Sequence, residues 1–273
     1  MIKKPIGIFD SGYGGLTVLK EICKLMPEYD FIYLGDNARA PYGPLPFKTV
    51  YENTLECVKW FFEKGCPLVI LACNTASAKA LRTIQQNDLP VIDASKRVLG
   101  VIRPTSETIG SYTKSKHIGI IATTGTVQSG SYLIEIKKFY PDVTVSQEAA
   151  PEWVNIVETG KHESEEANVS VKKHINSLLN KNSAIDCVLL ACTHYPLLLP
   201  KIKQFVPPDV TIICQGNIVA KSLVQYLHHH PEIENKCSKM SERTFFTTGN
   251  SADFNSHASI FFGEPVYATK INL

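Results

Sequence analysis

The chain has 273 residues, enough for one large domain or two ordinary ones, each with a real core. Its 44% hydrophobic and 20% charged residues describe an ordinary globular protein. A formal charge of +2, with lysines spread along the chain, is too weak to call for nucleic acid or an anionic membrane surface as a partner.

The apolar run Ile6–Phe9 is too short for a signal-peptide core, and no stretch approaches the ~18 apolar residues of a membrane span. A cytoplasmic protein is expected. The eight cysteines are Cys23, Cys57, Cys66, Cys73, Cys187, Cys192, Cys214 and Cys237, and none sits in a CxxC pair. That pattern fits neither a disulfide framework nor a zinc site, so no metal is expected. Cys187 and Cys192, five apart in an apparent strand, are expected to point to opposite faces and cannot share one ion from a regular strand. Most of these thiols are expected to be core residues, which leaves the strand-end cysteines to be explained.

In chain order, Ile6–Phe9, Phe31–Leu34, Leu68–Ala72, Val91–Ile92, Ile118–Ala122, Val143–Val145, Val188–Ala191 and Ile212–Cys214 read as short buried strands. Helical periods lie between them, such as Leu16, Leu19, Ile22 and Cys23, then Tyr51, Leu55, Val58 and Phe62. Continuous apolar strands alternating with helices predict parallel sheets covered on both faces, with ligands beyond the carboxyl ends of the strands.

The pattern repeats. "IGIFDSGYGG" from Ile6 is echoed by "IGIIATTGTV" from Ile118, and "VILACNT" around Cys73 by "VLLACTH" around Cys192. Two similar α/β domains related by a pseudo-two-fold axis are expected, with the active site in the cleft between them. Residues 1–103 plus 212–273 form the Cys73 domain, and residues 104–211 the Cys192 domain. The tail beyond Thr211, with its helix Asn217–His228 and the segments "RTFFTTG" and "EPVYATKI", is expected to complete the first sheet.

Several strand-end stretches are suited to chemistry. "NTASAKALRTIQQ" predicts a helix starting near Thr75 with Asn74 or Thr75 as its N-cap, which places Cys73 at a helix N-terminus. Such a position favours a thiolate and offers N–H groups to a carboxylate. Cys192 is followed by Thr193, His194, Tyr195 and Pro196; the histidine is close enough in sequence to polarise the thiol, and the proline suits a first helical turn. Asp10-Ser11-Gly12 lacks both the GxGxxG spacing and the Walker lysine, and its carboxylate suits a proton relay or an amine better than a phosphate. "TTGTVQSGSY", from Thr123, is the hydroxyl-bearing counterpart, and "GDNARAPYGPL", Gly35 to Leu45, reads as a binding loop. The His228–His230 run is a helix-end feature rather than a metal site, and Glu163–Glu166 a solvated helix start.

Together "IGIFDSGYGGLTVL", "YLGDNARAPYG", "LVILACNTASA", "TTGTVQSGSY" and "VLLACTHYPLL" closely resemble the glutamate racemase family, in order and over nearly the whole chain. The resemblance implies an isomerase that interconverts L- and D-glutamate without a cofactor, supplies D-glutamate for peptidoglycan, and works as a cytoplasmic homodimer. It implies Cys73 as the base toward D-glutamate and Cys192 toward L-glutamate, with Asp10 assisting the first and His194 the second. Glu158, in "VNIVETG", matches more loosely a glutamate near the second cysteine. Asp10, Ser11, Tyr42, Gly43, Asn74, Thr75, Thr123, Thr126, Thr193 and His194 match substrate-contacting positions.

There are departures from the family pattern. Gln215-Gly216 stands where the family usually has Asp-Ser, the segment before Glu158 lacks the usual cysteine-proline, and Val91–Glu107 is longer than common. Three rival readings are a racemase of aspartate or another acidic amino acid, a two-lobed binding protein without chemistry, and a Cys–His thiol hydrolase. Only the racemases need two opposed thiols.

Overall fold

The computed structural model describes residues 3–273. Among them are ten strands: β1 (Ile6–Asp10), β2 (Phe31–Gly35), β3 (Leu68–Leu71), β4 (Arg97–Gly100), β5 (His117–Ala122), β6 (Thr144–Ala149), β7 (Cys187–Ala191), β8 (Thr211–Cys214), β9 (Arg243–Thr247) and β10 (Ala268–Lys270). They form two sheets, ordered β10-β9-β2-β1-β3-β4 and β6-β5-β7-β8. Every pairing is parallel. The chain divides into two compact units, Met1–Val101 with Gly216–Leu273, and Ile102–Gln215.

The two α/β units share one topology. The run β2-β1-β3-β4 in the first sheet is matched by β6-β5-β7-β8 in the second, so β1 corresponds to β5 and β3 to β7. The internal echo read from the sequence is therefore a repeat of strand order. Every residue of β1, β3 and β7 is buried, as expected for strands covered on both faces. Each fully buried aliphatic side chain there contributes roughly 1.5–3 kcal/mol of transfer free energy.

The repeat explains two departures from the sequence reading. Ile212–Cys214 does not join the first sheet: β8 pairs with β7 (Val188↔Ile212, Leu190↔Cys214), because the second unit needs its fourth strand. The chain accordingly crosses between units at Gln215 and Gly216 rather than at residue 211. Val91–Ile92 is not a strand. It lies in the short helix Leu89–Asp93, with proline in its first turn and Val91 85% exposed. The strand in that region is β4, which pairs with β3 (Val69↔Val98) and, at the sheet edge, alternates half-buried and buried residues.

Helix α1 (Leu16–Leu25) buries Leu16, Val18, Leu19 and Ile22. In α2 (Phe47–Glu63) the buried stripe includes Val50, Thr54, Cys57 and Phe61, one position over from Tyr51 and Leu55, which are only half-buried. Phe61 packs where Gly7 of β1 has no side chain; a Cβ there would lie 2.6 Å from the ring. The tail completes the first sheet: β9 adds to β2 and β10 to β9. Gln215, a sequence departure, is 4% exposed, and its side-chain amide donates to Thr105 Oγ1 at 3.0 Å and to the Tyr132 hydroxyl at 2.6 Å. Among the described residues no helix is long and apolar enough to cross a membrane.

Candidate active site

In each unit two adjacent strands end side by side and carry the polar residues onward. In the first unit Phe9 of β1 pairs with Leu71 of β3, so the chains emerge as Asp10-Ser11 and Ala72-Cys73. In the second, Ala122 of β5 pairs with Ala191 of β7, and the next residues are Thr123 and Cys192. Both cysteines are 6% exposed.

Cys73 is itself the N-cap of α3 (Asn74–Lys79), a role the sequence reading gave to Asn74 or Thr75. Its Sγ accepts the Ala76 N–H at 3.4 Å. The residue has extended backbone angles, as a cap requires, so the thiol points back along the helix toward the open N–H groups. An anion at that sulfur is favoured by both the hydrogen bond and the helix end. The Ser11 hydroxyl lies 3.5 Å from the same sulfur. Asn74 and Thr75, in the first turn, are each 3% exposed.

Asp10 is fully buried, and its Oδ1 accepts the Gly12 N–H at 2.9 Å, which shapes the loop that carries Ser11. Gly15 makes room for that carboxylate: a Cβ on it would stand 2.6 Å from Asp10 Cβ. In the Gly35–Leu45 loop, the buried Tyr42 hydroxyl donates to Asp36. Burial and the nearby Cys57 and Asp36 raise the Tyr42 pKa, so the phenol stays neutral. Arg39 joins Asp36 at 2.7 Å and also reaches Glu56 of α2. The Tyr42 phenol thus braces its own loop. Asp36 and Arg39 were not singled out from the sequence; an acid and a base three apart in a turn-rich loop were the signal available.

In the second unit, Thr123 caps the helix Thr124–Ser129, accepting the Thr126 N–H at 3.4 Å, with its hydroxyl 3.1 Å from Thr126 Oγ1. Cys192 Sγ lies 3.9 Å from His194 Nδ1, and His194 Nε2 lies 2.8 Å from Glu158 Oε1. Thr193 Oγ1 is 3.5 Å from the same Nδ1. These contacts form a chain from carboxylate through imidazole to thiol. Burial alone would lower the His194 pKa; its hydrogen bonds to Cys192 and Glu158 outweigh that and raise it to about 10. Glu158 ends the helix Glu152–Glu158, whose other end is held by His174 Nε2 at 2.6 Å from Glu152 Oε1. Tyr195, fully buried, fixes the thiol loop by donating to the Ala150 carbonyl at 2.8 Å, with its ring edge-on to Trp153.

The remaining cysteines divide by burial. Cys57, Cys66, Cys187 and Cys237 are buried, and burial pushes the thiols of Cys66, Cys187 and Cys237 up to about 12. Those groups stay protonated and pack as small hydrophobes. Among the described residues no group of three or more His, Cys, Asp or Glu side chains is arranged to hold a metal ion.

Residues 16–223 match the family model described as Asp/Glu/hydantoin racemase. The chain belongs to this racemase family. It is an isomerase. A glutamate racemase of Bacillus cereus is 39% identical over 269 residues, covering 98% of this chain and 97% of that protein. The crystal structure of glutamate racemase isoform RacE1 from Bacillus anthracis superposes with a TM-score of 0.90 at 32% identity, covering 99% of this chain and 98% of the other. That of the Francisella tularensis glutamate racemase in complex with D-glutamate gives 0.87 at 28% identity, with the same coverage. Cys73 beside Ser11, and Cys192 beside His194 and Glu158, are the strand-end thiols of this chain, one in each unit.

Proposed function

We propose that this racemase interconverts L- and D-glutamate by proton transfer at Cα between two cysteines. The observation that carries the reading is the pair of nearly buried thiols at equivalent strand ends, each with its own polar partner. Inverting a carbon centre by deprotonation needs a base on one face and an acid on the other. One thiolate and one thiol supply both.

Toward D-glutamate, the Cys73 thiolate takes the Cα proton and the Cys192 thiol delivers its own to the opposite face. The enzyme is left with a Cys73 thiol and a Cys192 thiolate, the form that accepts L-glutamate. The α3 N–H and the Ser11 hydroxyl support the first thiolate, and the His194 imidazolium, backed by Glu158, supports the second. Asp10 assists on the Cys73 side. Backbone N–H groups at Asn74, Thr75 and Thr193, with the hydroxyls of Thr123 and Thr126 and the backbone of Tyr42–Gly43, suit a substrate bearing carboxylates. Charge building on the α-carboxylate during deprotonation is what such donors stabilise. No cofactor is required in this scheme, since the thiols hold and move the proton themselves. The glutamate racemases to which the chain is similar favour glutamate over aspartate as its substrate. A cytoplasmic homodimer supplying D-glutamate to peptidoglycan completes the proposal.

Incubation with L-glutamate in D₂O without added cofactor tests it. Circular dichroism should decay to zero while deuterium appears at Cα. Cys73→Ser and Cys192→Ser should each slow racemisation by at least about 10²-fold. Full activity in either variant, or loss of optical activity with L-aspartate only, would overturn the reading.

A further inference from the structure

Lys79 ends α3, the helix that Cys73 caps, and is only 9% exposed. Its ammonium donates to the Leu45 carbonyl at 2.7 Å. Leu45 closes a turn in which its own N–H donates to the Tyr42 carbonyl at 3.1 Å. The contact therefore fastens the Tyr42–Leu45 turn to the catalytic helix. Other ties of this loop, through Asp36, Asn37, Ala38 and Arg39, lead to β1, α2, β9 and Thr248 rather than to α3.

Among the described residues Lys79 pairs with no carboxylate, and a buried ammonium without a counter-anion is unfavourable. Burial lowers its pKa, and Cys73 is the one ionisable group that opposes this. Influence between two charges is mutual, so a cation at Lys79 favours the thiolate at Cys73. The other titratable groups here are Asp10 at the end of β1, and Tyr42 and Cys57, which share a core cluster with Cys73. Burial, joined by Asp36, holds Tyr42 and Cys57 neutral, and Asp10 is an acid. Arg39 reaches the Cys57 sulfur at 3.4 Å but is committed to Asp36 and Glu56, whereas Lys79 is the cation carried on the helix that Cys73 caps.

We propose that Lys79 is a positioning residue for the Cys73 half of the reaction. Its ammonium seats the Tyr42–Leu45 turn against α3 and stands as counter-cation to the Cys73 thiolate. This rests on the reading of Cys73 as a base. Lys79 is six residue steps along the helix from Cys73, ~9 Å of backbone rise. At an effective dielectric constant of ~20, a unit charge at that distance moves a titration by about one pH unit.

The test uses full-length protein carrying Cys192→Ser. Alkylation of Cys73 by iodoacetamide is followed against pH through the mass of the Cys73 peptide. Lys79→Met and Lys79→Gln both remove the charge, one keeping an apolar stem and the other a donor. Each should shift half-maximal alkylation up by about one pH unit, while Lys79→Arg should leave it near the parent value. With Cys192 restored, the two neutral variants should lower kcat, and Lys79→Arg should recover most of it. An unchanged alkylation profile in either folded neutral variant overturns the proposal, whatever its activity. Alkylation is read without substrate. A shifted profile in a protein that does not racemise glutamate would therefore support the Lys79–Cys73 pairing and overturn the proposed substrate instead.

Discussion

Replacing Glu158 by glutamine keeps the shape of the Glu158–His194–Cys192 chain and removes its charge. His194 is 4% exposed and holds its proton up to about 10, where an ordinary histidine loses it near 6.5. Being raised above its unfolded value, the imidazolium contributes stability that is complete below pH 6.5 and is lost as pH rises through about 10. A carboxylate at hydrogen-bond distance raises a neighbouring cation's pKa by roughly 1–3. Glu158→Gln should therefore bring His194 down to roughly 7–9, at a cost on the order of 1–4 kcal/mol. The Cys192 thiolate then loses its cation at mildly alkaline pH. The activity of the variant should fall on the alkaline side at a pH where the parent is still fully active. Urea midpoints should converge with those of the parent once pH exceeds about 10, where His194 is neutral in both. The measurements are the His194 ring proton by NMR, racemisation by circular dichroism and urea unfolding, each across pH. If His194 still titrates near 10 in the variant, or the alkaline limb does not move, Glu158 is not the group that holds the imidazolium.

Two further perturbations probe the supports of the site. Gly15→Ala places a methyl group 2.6 Å from Asp10 Cβ and 3.1 Å from Ala72 Cβ; both neighbours are buried, so relief requires moving the Asp10 loop. A loss of about 1–3 kcal/mol in urea unfolding, with a larger proportional loss of kcat, is expected; wild-type stability and activity would contradict the packing described. In the second unit, Asp186 accepts from Thr113 Oγ1 and from the N–H groups of Lys114 and Ser115. Burial alone would raise its pKa, yet these bonds hold it down at about 2. A depressed carboxylate contributes stability that is present above pH 3.8 and lost as pH falls through about 2. Asp186→Asn should cost about 1 kcal/mol at neutral pH, with the difference closing in acid; a constant difference across pH would refute the assignment.

Much of this protein was legible before any fold was known. Strands covered on both faces must be continuously apolar, so β1, β3, β5 and β7 stood out along the chain, and the repeat of their ends drew attention to Cys73 and Cys192. His194 was equally accessible, because it lies two residues from its thiol. Edge strands and boundaries were less so. β4, with only alternate residues buried, carries a weak apolar signal, and Val91–Ile92 gave a stronger one from an exposed helical turn. The end of the second unit depended on which sheet claimed Ile212–Cys214, and pairing with β7 settles that through backbone hydrogen bonds that leave no mark on side-chain pattern. The tertiary structure also made Cys73 its own helix cap, set Glu158 behind His194 from 36 residues away, and brought the Lys79 ammonium to a carbonyl 34 residues back. Sequence periodicity reports which face of an element is buried. Which distant group meets which site depends on how separate elements pack, and in this chain that packing adds Ser11 to Cys73 and Glu158 to the local Cys192–His194 pair.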